Sequence, residues 1–421
     1  MADASALQDE VRAWLADNWS DQLTLGDWWQ RLADGGWGFP TWPRQWFGRG
    51  LSSDEAKVVR AELRAAGVYG PPSGVSTFLA APTILACGTD DQKSRFMPGI
   101  VTGRDVWCQL FSEPGAGSDL AGLATRAERD GDEWVVTGQK VWNTGAQFAD
   151  WAILVARTDP DQPKHKGLSY FLIDMRQPGV EVRPLKEMSG DETFNEVFLS
   201  EARIPAENLL GDLGEGWRVT MTTLMNERDS ENAAMGGGGS FVGRPQLDAT
   251  IAEIVAEEQA RVADDGMALA MGGGVFRHLM EQARTFGATN DPVLRQALMR
   301  VHILRELHRY NGLRSKAALA AGGQPGPESS TGKLMGSEIA RQMRDLAWQI
   351  QGPYGQLMGD DAPLRGVMQK YGLFTPSSSI AGGTDEINKN IIGERVLGLP
   401  KEPDVSREIP WRELKVGTQR G

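Results

Sequence analysis

The sequence has few of the residues that build disulfide frameworks and metal centres. Its 421 residues include two cysteines, Cys87 and Cys108, and four histidines, none of which stands at HExxH spacing. Two cysteines cannot make a disulfide framework or a zinc knuckle, so the protein is expected to work in a reducing compartment. The histidines show no spacing typical of ligands, and we expect no metal site.

Positive charge and long apolar runs are also scarce. Lysine and arginine total 44 against 56 aspartates and glutamates, which gives a net charge of −12. A protein that binds nucleic acid through general charge needs a basic face, so this class is excluded. No apolar run is long enough to span a bilayer, and the acidic first ten residues lack the apolar core of a signal peptide. These absences predict a cytoplasmic protein without a membrane span.

Common nucleotide and hydrolase motifs are missing. The segment 115–120 begins like GxGxxG, but Leu120 stands where glycine is required and no βαβ pattern surrounds it. Gly332-Lys333 resembles the end of a P-loop, but Pro327 occupies the position of its first glycine. No GxSxG elbow is present. The sequence therefore gives no evidence for a Rossmann site, a P-loop or a serine hydrolase.

Three zones of different periodicity make up the chain. The first has short helices joined by Gly/Pro-rich turns, the second has short β-rich runs, and the third returns to helical spacing. The three zones span 1–105, 106–212 and 213–400. A Pro- and charge-rich tail, which we expect to be mobile, follows at 401–421. In the third zone an apolar stripe repeats at Leu298, Val301, Leu304, Leu307 and Leu313. This order predicts a multidomain α+β fold with an N-terminal helical domain, a central antiparallel β-barrel or sandwich, and a C-terminal helix bundle.

Three separated segments carry the functional information. The first, S-E-P-G-A-G-S-D at 112–119, is a turn whose backbone N–H groups can form an anion or flavin-edge nest. The second, G-Q-K-V-W-N-T at 138–144, offers an indole and a hydroxyl to a planar cofactor. The third, G-G-T-D-E-I at 382–387, reads as a loop and a helix capped by Thr384. Taken singly, each is more often an ordinary turn, a core strand or a capped helix.

Together, in this order, the three segments resemble the acyl-CoA dehydrogenase family, and the resemblance covers nearly the whole chain. It implies non-covalent FAD between the β domain and the helix bundle. Arg284 lies one place later than the family's R-x-x-F-G arginine, two extra residues precede Gln296, and Pro353 replaces the last glycine of Q-I-x-G-G. The FAD contacts that the resemblance implies are Gln109, Leu110, Phe111, Ser112, Gly117, Ser118, Trp142, Thr144, Arg284, Gln296, Gln349, Gly352, Thr384 and Glu386.

The resemblance also locates a candidate for the catalytic base. Many family members carry this base as Glu immediately before the G-T of the last segment, where this chain has Gly382. A smaller branch, which includes isovaleryl- and long-chain-type enzymes, carries the Glu in an E-R pair on an early bundle helix. Here that pair is Glu227-Arg228, so Glu227 is the predicted base, although most helix glutamates are simply solvated. Arg228 is expected to contact substrate or orient the helix, and Ser118 to lie near the thioester.

The implied activity is FAD-dependent α,β-dehydrogenation of an acyl-CoA thioester to the trans-2-enoyl-CoA. Electrons would pass to an electron-transfer flavoprotein, and the protein would form a homodimer or homotetramer, with a heterotetramer also open. Two alternatives remain at this point. The chain is a subunit of a heteromeric, steroid-type acyl-CoA dehydrogenase, or it is a related flavin oxidase or monooxygenase.

Overall fold

The computed structural model describes residues 4–227, 243–262, 274–320, 329–401, 403 and 406–414. The chain divides into two compact units. The first unit comprises residues 1–187, 192–256 and 404–421, and the second unit comprises 188–191 and 257–403. No helix among the described residues is both long enough and apolar enough to cross a membrane.

The first unit begins with five α-helices. Their starts follow local capping chemistry: Ser52 and Glu55 form a capping box at α3, and Thr89 and Gln92 form another at α5. A π-helical turn, Ser76–Ala80, directly precedes α4. The helices are α1 (Ala4–Asn18), α2 (Leu25–Gly35), α3 (Ser53–Ala65), α4 (Ala81–Cys87) and α5 (Asp90–Val101).

A seven-stranded sheet follows, with strand order β1-β4-β2-β3-β7-β6 and β5 paired to β4. Four of the six strand pairs among the described residues are antiparallel, while β4 pairs in parallel with both β1 and β2. Alternate residues of β4 and β5 enter two different apolar cores, which explains why both strands are buried on both faces. The strands are β1 (Trp107–Leu110), β2 (Arg126–Asp130), β3 (Glu133–Lys140), β4 (Trp151–Arg157), β5 (Leu168–Asp174), β6 (Val180–Pro184) and β7 (Asn195–Pro205).

Two helices follow the sheet. The helix α6 (Gly216–Glu227) contributes Val219 to the core shared by the N-terminal helices and the sheet. The helix α7 (Ile251–Val262) contributes Ile251 and Ile254 to the tryptophan-rich core of α1 and α2.

The second unit is helical. Its apolar core contains Leu298 and Val301 of the predicted stripe, whereas Leu307 and Leu313 are about half exposed. A second π-helical turn, Ile392–Val396, follows its last α-helix. The helices are α8 (Val275–Thr285), α9 (Pro292–Ala320), α10 (Ser329–Gln351), α11 (Val367–Phe374) and α12 (Asp385–Ile391). The predicted fold class, helices followed by a β domain and a helix bundle, is confirmed.

The C-terminal residues 406–414 belong to the first unit, which differs from the mobile tail expected from composition. The Nε1 of Trp411 donates to the carbonyl oxygen of Gly122 at 3.1 Å, and the guanidinium of Arg157 lies 4.4 Å from the Trp411 ring centroid. Leu414 is buried. The aromatic contacts of Trp411, backbone hydrogen bonds to Pro160 and Gln162, and the pair between Arg412 and Asp161 hold this segment despite its charged and Pro-rich composition.

Candidate active site

A buried ion pair holds the loop that follows β1. The Nζ of Lys140, at the end of β3, donates to Oε1 of Glu113 and to the carbonyl oxygen of Phe111, both at 2.9 Å. The side chains of Lys140 and Glu113 are 0% and 2% exposed. The carboxylate of Glu113 also accepts the N–H groups of Ala124 at 2.7 Å and Thr125 at 2.9 Å. The loop is therefore tied at both ends through one carboxylate.

The electrostatics of this pair favour a charged carboxylate. Burial alone raises the pKa of Glu113, but the Lys140 ammonium and the N–H donors outweigh burial and hold that pKa below its usual value. The far end of the loop is fixed by Arg157, which donates to the carbonyl oxygens of Ala121 at 2.7 Å and Leu123 at 3.1 Å. The buried charges of Glu113, Lys140 and Arg157 therefore hold the loop backbone in one conformation.

Between these anchors the loop presents an open turn. Glu113 and Ala116 exchange two backbone hydrogen bonds of 3.0 Å each, and Gly117 and Ser118 after them are exposed. A Cβ at Gly117 would meet no atom within 4 Å, so packing within this chain does not require glycine there. The open surface at Gly117 is instead suited to the close approach of a ligand.

The four residues predicted before this turn act mainly through their backbone. Leu110 and Phe111 are buried in the two cores, so their side chains are not available to a cofactor. The carbonyl oxygen of Gln109 accepts Nδ2 of Asn143 at 2.6 Å, and that of Ser112 accepts the N–H of Val141 at 2.9 Å. These bonds tie β1 and its loop to the segment that carries Trp142.

Trp142 is an exposed aromatic residue held in an unfavourable backbone conformation. Its φ is +63°, and its side chain is 61% exposed, with an edge-to-face contact to Phe194 at 5.9 Å between ring centroids. A bulky residue in this region costs on the order of 1–3 kcal/mol. The conformation is retained because Asn143 and Asn195 exchange bonds of 3.1 and 2.9 Å. Thr144, which follows, is half-buried.

Glu227 is the last residue of α6. Its side chain, and the whole of Arg228, lie outside the described residues. Thr223 precedes Glu227 by four residues, so the two positions share one face of the helix.

In the second unit, two predicted segments meet at a cavity of about 390 Å³. Phe286, after α8, and Tyr354, after α10, line it with ring centroids 5.9 Å apart. Gln282 also lines the cavity and is 2% exposed, and neither polar atom of its amide has a hydrogen-bond partner. A buried amide without partners costs about 1–3 kcal/mol, which a polar ligand would recover.

The other predicted residues of this unit lie around the cavity or away from it. Arg284 is exposed and absent from the cavity lining, while Ala283, one place earlier, is fully buried. Gln349 and Gly352 are exposed at the end of α10. Gln296 is exposed on α9 and does not line the cavity.

The third motif forms a capped helix start. Thr384 accepts the N–H of Ile387 at 3.2 Å, as expected for the N-cap of α12, and Glu386 is exposed. Gly382 and Gly383 have φ of +63° and +90°, a conformation that favours glycine.

Asp385, which sequence reasoning did not single out, anchors this motif. Its carboxylate is buried, and its Oδ2 accepts Nη1 of Arg341 at 2.7 Å. Burial raises the pKa of Asp385, but the bonds from Arg341 and nearby hydroxyls outweigh burial and lower it to about 2.

This pKa predicts an acid-dependent role for Asp385. Because its folded-state pKa lies below the unfolded value of 3.8, its stabilisation is complete above about pH 4 and is lost as the pH falls through about 2. Asp385→Asn should lower the free energy of unfolding by about 2–3 kcal/mol at pH 7, with a shrinking difference below pH 4. Urea unfolding across pH measures this, and Asp360→Asn, at an exposed pair with Arg365, should cost under about 1 kcal/mol. Equal losses for the two variants would contradict the anchoring role.

The comparisons with known proteins agree with this architecture. Residues 2–104, 108–201 and 257–397 match the N-terminal, middle and C-terminal domain models of acyl-CoA dehydrogenase. The chain belongs to the acyl-CoA dehydrogenase family, a family of FAD-dependent oxidoreductases that act in lipid metabolism.

Three similar proteins illustrate the relation. Acyl-CoA dehydrogenase IpdE1 of Mycobacterium tuberculosis is 36% identical over 96% of this chain and 99% of its own length. The solved "Tcur3481-Tcur3483 steroid ACAD" is 26% identical with a TM-score of 0.69, covering 95% of this chain and 98% of that chain. The ChsE4-ChsE5 complex of Mycobacterium tuberculosis is 26% identical with a TM-score of 0.67, covering 96% and 99%.

Proposed function

We propose that the chain catalyses the α,β-dehydrogenation of an acyl-CoA thioester to the trans-2-enoyl-CoA, with electrons passed to an electron-transfer flavoprotein. The observation that carries the proposal is the exposed indole of Trp142 at φ +63°, held next to an ion-paired loop with an open glycine turn. A strained, exposed aromatic residue on a rigid support is suited to a planar ring ligand.

The residues of each unit fit FAD. In the first unit, Trp142 and Thr144 offer a flat surface and a hydroxyl, and the turn at Gly117 leaves room for approach. In the second unit, the unpartnered amide of Gln282 lines the same cavity as the aromatic side chains of Phe286 and Tyr354, a combination that suits a stacked, hydrogen-bonding group such as a nucleobase. When bound, FAD supplies the acceptor for the hydride that leaves the β-carbon.

The protein's part in the chemistry is proton removal and positioning. The Glu227 carboxylate takes the α-proton while the β-hydrogen leaves with its electron pair, and the α,β double bond forms between the two carbons. Hydrogen bonds to the thioester oxygen make the α-proton more acidic by stabilising enolate charge. Ser118, exposed in the turn, and Arg228 are the proposed substrate contacts.

The test uses the purified protein under anaerobic conditions with a panel of acyl-CoA thioesters. We expect a yellow protein whose FAD is released on denaturation and bleached by the preferred thioester, with the enoyl-CoA as product. Electron-transfer flavoprotein should then restore the oxidised spectrum. A colourless protein that cannot be reconstituted with FAD would overturn the proposal, and rapid reoxidation by air would favour an oxidase or monooxygenase.

Trp142→Ala should weaken FAD binding by about 10- to 100-fold, equivalent to roughly 1.4–2.8 kcal/mol. Since Trp142 is exposed and its backbone is strained, the melting temperature of the apoprotein should not fall. Titration of apoprotein with FAD measures the effect, and Phe148→Ala, at an exposed aromatic four residues after the segment 138–144, is the control. Equal FAD affinities for Trp142→Ala and wild type would show that the indole does not contact the cofactor.

We also propose that the chain assembles with at least one further subunit, as a homodimer, a homotetramer or part of a heterotetramer. Supporting this, Met299, Ile303, Leu307 and Tyr310 form an exposed apolar stripe on α9 among the described residues. The ChsE4-ChsE5 complex and the exposed, displaced Arg284 favour the heteromeric form as the second candidate. Co-purification with a second, similar chain would decide between the two forms.

A further inference from the structure

Three buried hydroxyl groups connect three elements of the first unit. The phenol of Tyr170 in β5 lies 2.9 Å from Oγ1 of Thr223 in α6, which lies 3.0 Å from Oγ1 of Thr83 in α4. All three side chains are fully buried, and the three residues are far apart in the sequence. Hydrogen bonds of this kind fix the relative position of the elements that carry them.

The contacts around the three hydroxyl groups limit how their hydrogen atoms are arranged. Thr83 donates to the carbonyl oxygen of Leu79 at 2.6 Å, which leaves its oxygen free to accept from Thr223. Thr223 can in turn accept from Tyr170, and its own hydroxyl also lies within donating distance of the carbonyl oxygen of Val219 at 3.2 Å. Burial raises the pKa of Tyr170, so the phenol remains a donor over the working pH range. These contacts allow the donor order Tyr170 to Thr223 to Thr83 to Leu79.

The last acceptor in this series of hydrogen bonds, the carbonyl oxygen of Leu79, belongs to the π-helical turn Ser76–Ala80. π-Helical turns are rare and occur frequently at functional sites. The same turn is bound to the start of β1, because Oγ of Ser76 accepts the N–H of Trp107 at 3.0 Å. Strand β1 leads directly into the loop held by Lys140 and Glu113. Hydrogen bonds thus connect α6, through the π-helical turn and β1, to the loop after β1 that carries Gly117 and Ser118.

Thr223 lies one helical turn before Glu227. A turn of α-helix is about 5.4 Å, so whatever fixes the rotation and height of α6 at Thr223 also fixes position 227. A misplacement of about 1 Å between reacting groups can lower a rate by about 100-fold. The hydroxyl of Thr223 is therefore placed to influence a reaction that it does not touch.

We propose that Thr223 is a positioning residue for proton removal, which it controls by fixing α6 against Tyr170 and Thr83. This inference rests on the proposed function, in which Glu227 is the base. It predicts that the hydroxyl, and not the volume, of Thr223 determines the rate of flavin reduction.

The decisive experiment compares two buried threonines of α6 in the holoenzyme. Thr223→Val removes the bridging hydroxyl with little change in volume, and Thr220→Val removes a hydroxyl bonded to Gly216 of the same helix at 2.7 Å. We expect Thr223→Val to slow flavin reduction by about 10- to 100-fold, with FAD and acyl-CoA affinity unchanged and a larger isotope effect from α-deuterated thioester. Thr220→Val should stay within about twofold of wild type, and Thr223→Ser should recover most of the rate.

The control outcomes separate this inference from the proposed function. Equal reduction rates for Thr223→Val and Thr220→Val would overturn the positioning role, and so would a loss that follows only the melting temperature. Glu227→Gln, measured in parallel, tests the base itself: wild-type speed there would overturn the proposed function instead. If Thr223→Val does not fold, Tyr170→Phe and Thr83→Val remove the two other hydroxyls and must show the same selective loss.

Discussion

Glu227→Gln is expected to lower the rate of flavin reduction by about 10²–10⁴-fold or more, while the fold, FAD content and acyl-CoA binding are retained. The amide keeps the shape of the carboxylate but cannot accept the α-proton, which is a weak acid even next to a thioester. Stopped-flow reduction with the fastest thioester of the panel measures the effect. The melting temperature reports any loss of stability.

A matched control lies directly before the same helix. Glu215, exposed and paired with Arg218 at 3.2 Å, precedes α6, and Glu215→Gln should leave reduction within about twofold of wild type. If Glu227→Gln reduces its flavin as fast as wild type, the base lies elsewhere. The alternative that the chain is a subunit of a heteromeric acyl-CoA dehydrogenase is then favoured.

Gly382 provides a second test of the same assignment. Adding Gly382→Glu to Glu227→Gln places a carboxylate where other family branches carry theirs. Because Gly382 has a φ of +63°, a side chain there is strained by about 1–2 kcal/mol, so only partial recovery is expected. Recovery would show that both positions serve one α-carbon.

Lys140→Met is expected to lower the free energy of unfolding by about 3–5 kcal/mol and to reduce FAD retention with it. The substitution leaves the Glu113 carboxylate buried without its cation, which is the costly way to break a buried pair. The loop that carries Gly117 and Ser118 would lose its main anchor. Urea unfolding of the apoprotein and FAD titration measure the two effects.

The same loop supplies the control for this prediction. Lys164 pairs with Asp119 at 2.9 Å at a more exposed position, and Lys164→Met should cost under about 1 kcal/mol. The double variant Glu113→Gln/Lys140→Met should regain part of the stability, since it removes the uncompensated charge. A Lys140→Met loss no greater than that of Lys164→Met would contradict an energetic role for the pair.

Much of the architecture was predictable because local chemistry determines it. Periods of 2 and 3.6 separate the sheet from the helices, and Thr384 caps α12 through a contact three residues away. Leu307 and Leu313 mark the limit of such reasoning. They continue the apolar period of the α9 core but are half exposed, because periodicity identifies an apolar face without identifying what covers it.

The site residues that sequence reasoning missed depend on distant partners. Glu113 and Lys140 lie within the first two motifs, but they form an ion pair only because the fold brings the end of β3 to the loop after β1. The φ of Trp142 is fixed through Asn143 by Asn195, about fifty residues away. No local signal predicts that backbone conformation. Buried polar residues within otherwise functional motifs are the signal that could have located Glu113 and Lys140.

The contact between Trp411 and Gly122 affects the order in which the first unit gains its contacts during translation. The first unit contains residues from both before and after the second unit, so the second unit is an insertion within it. During synthesis, the loop that follows β1 therefore gains its contact with Trp411 only after the second unit has been translated. Until then, a nascent first unit lacks the indole that packs on the Arg157 guanidinium and donates to the carbonyl oxygen of Gly122.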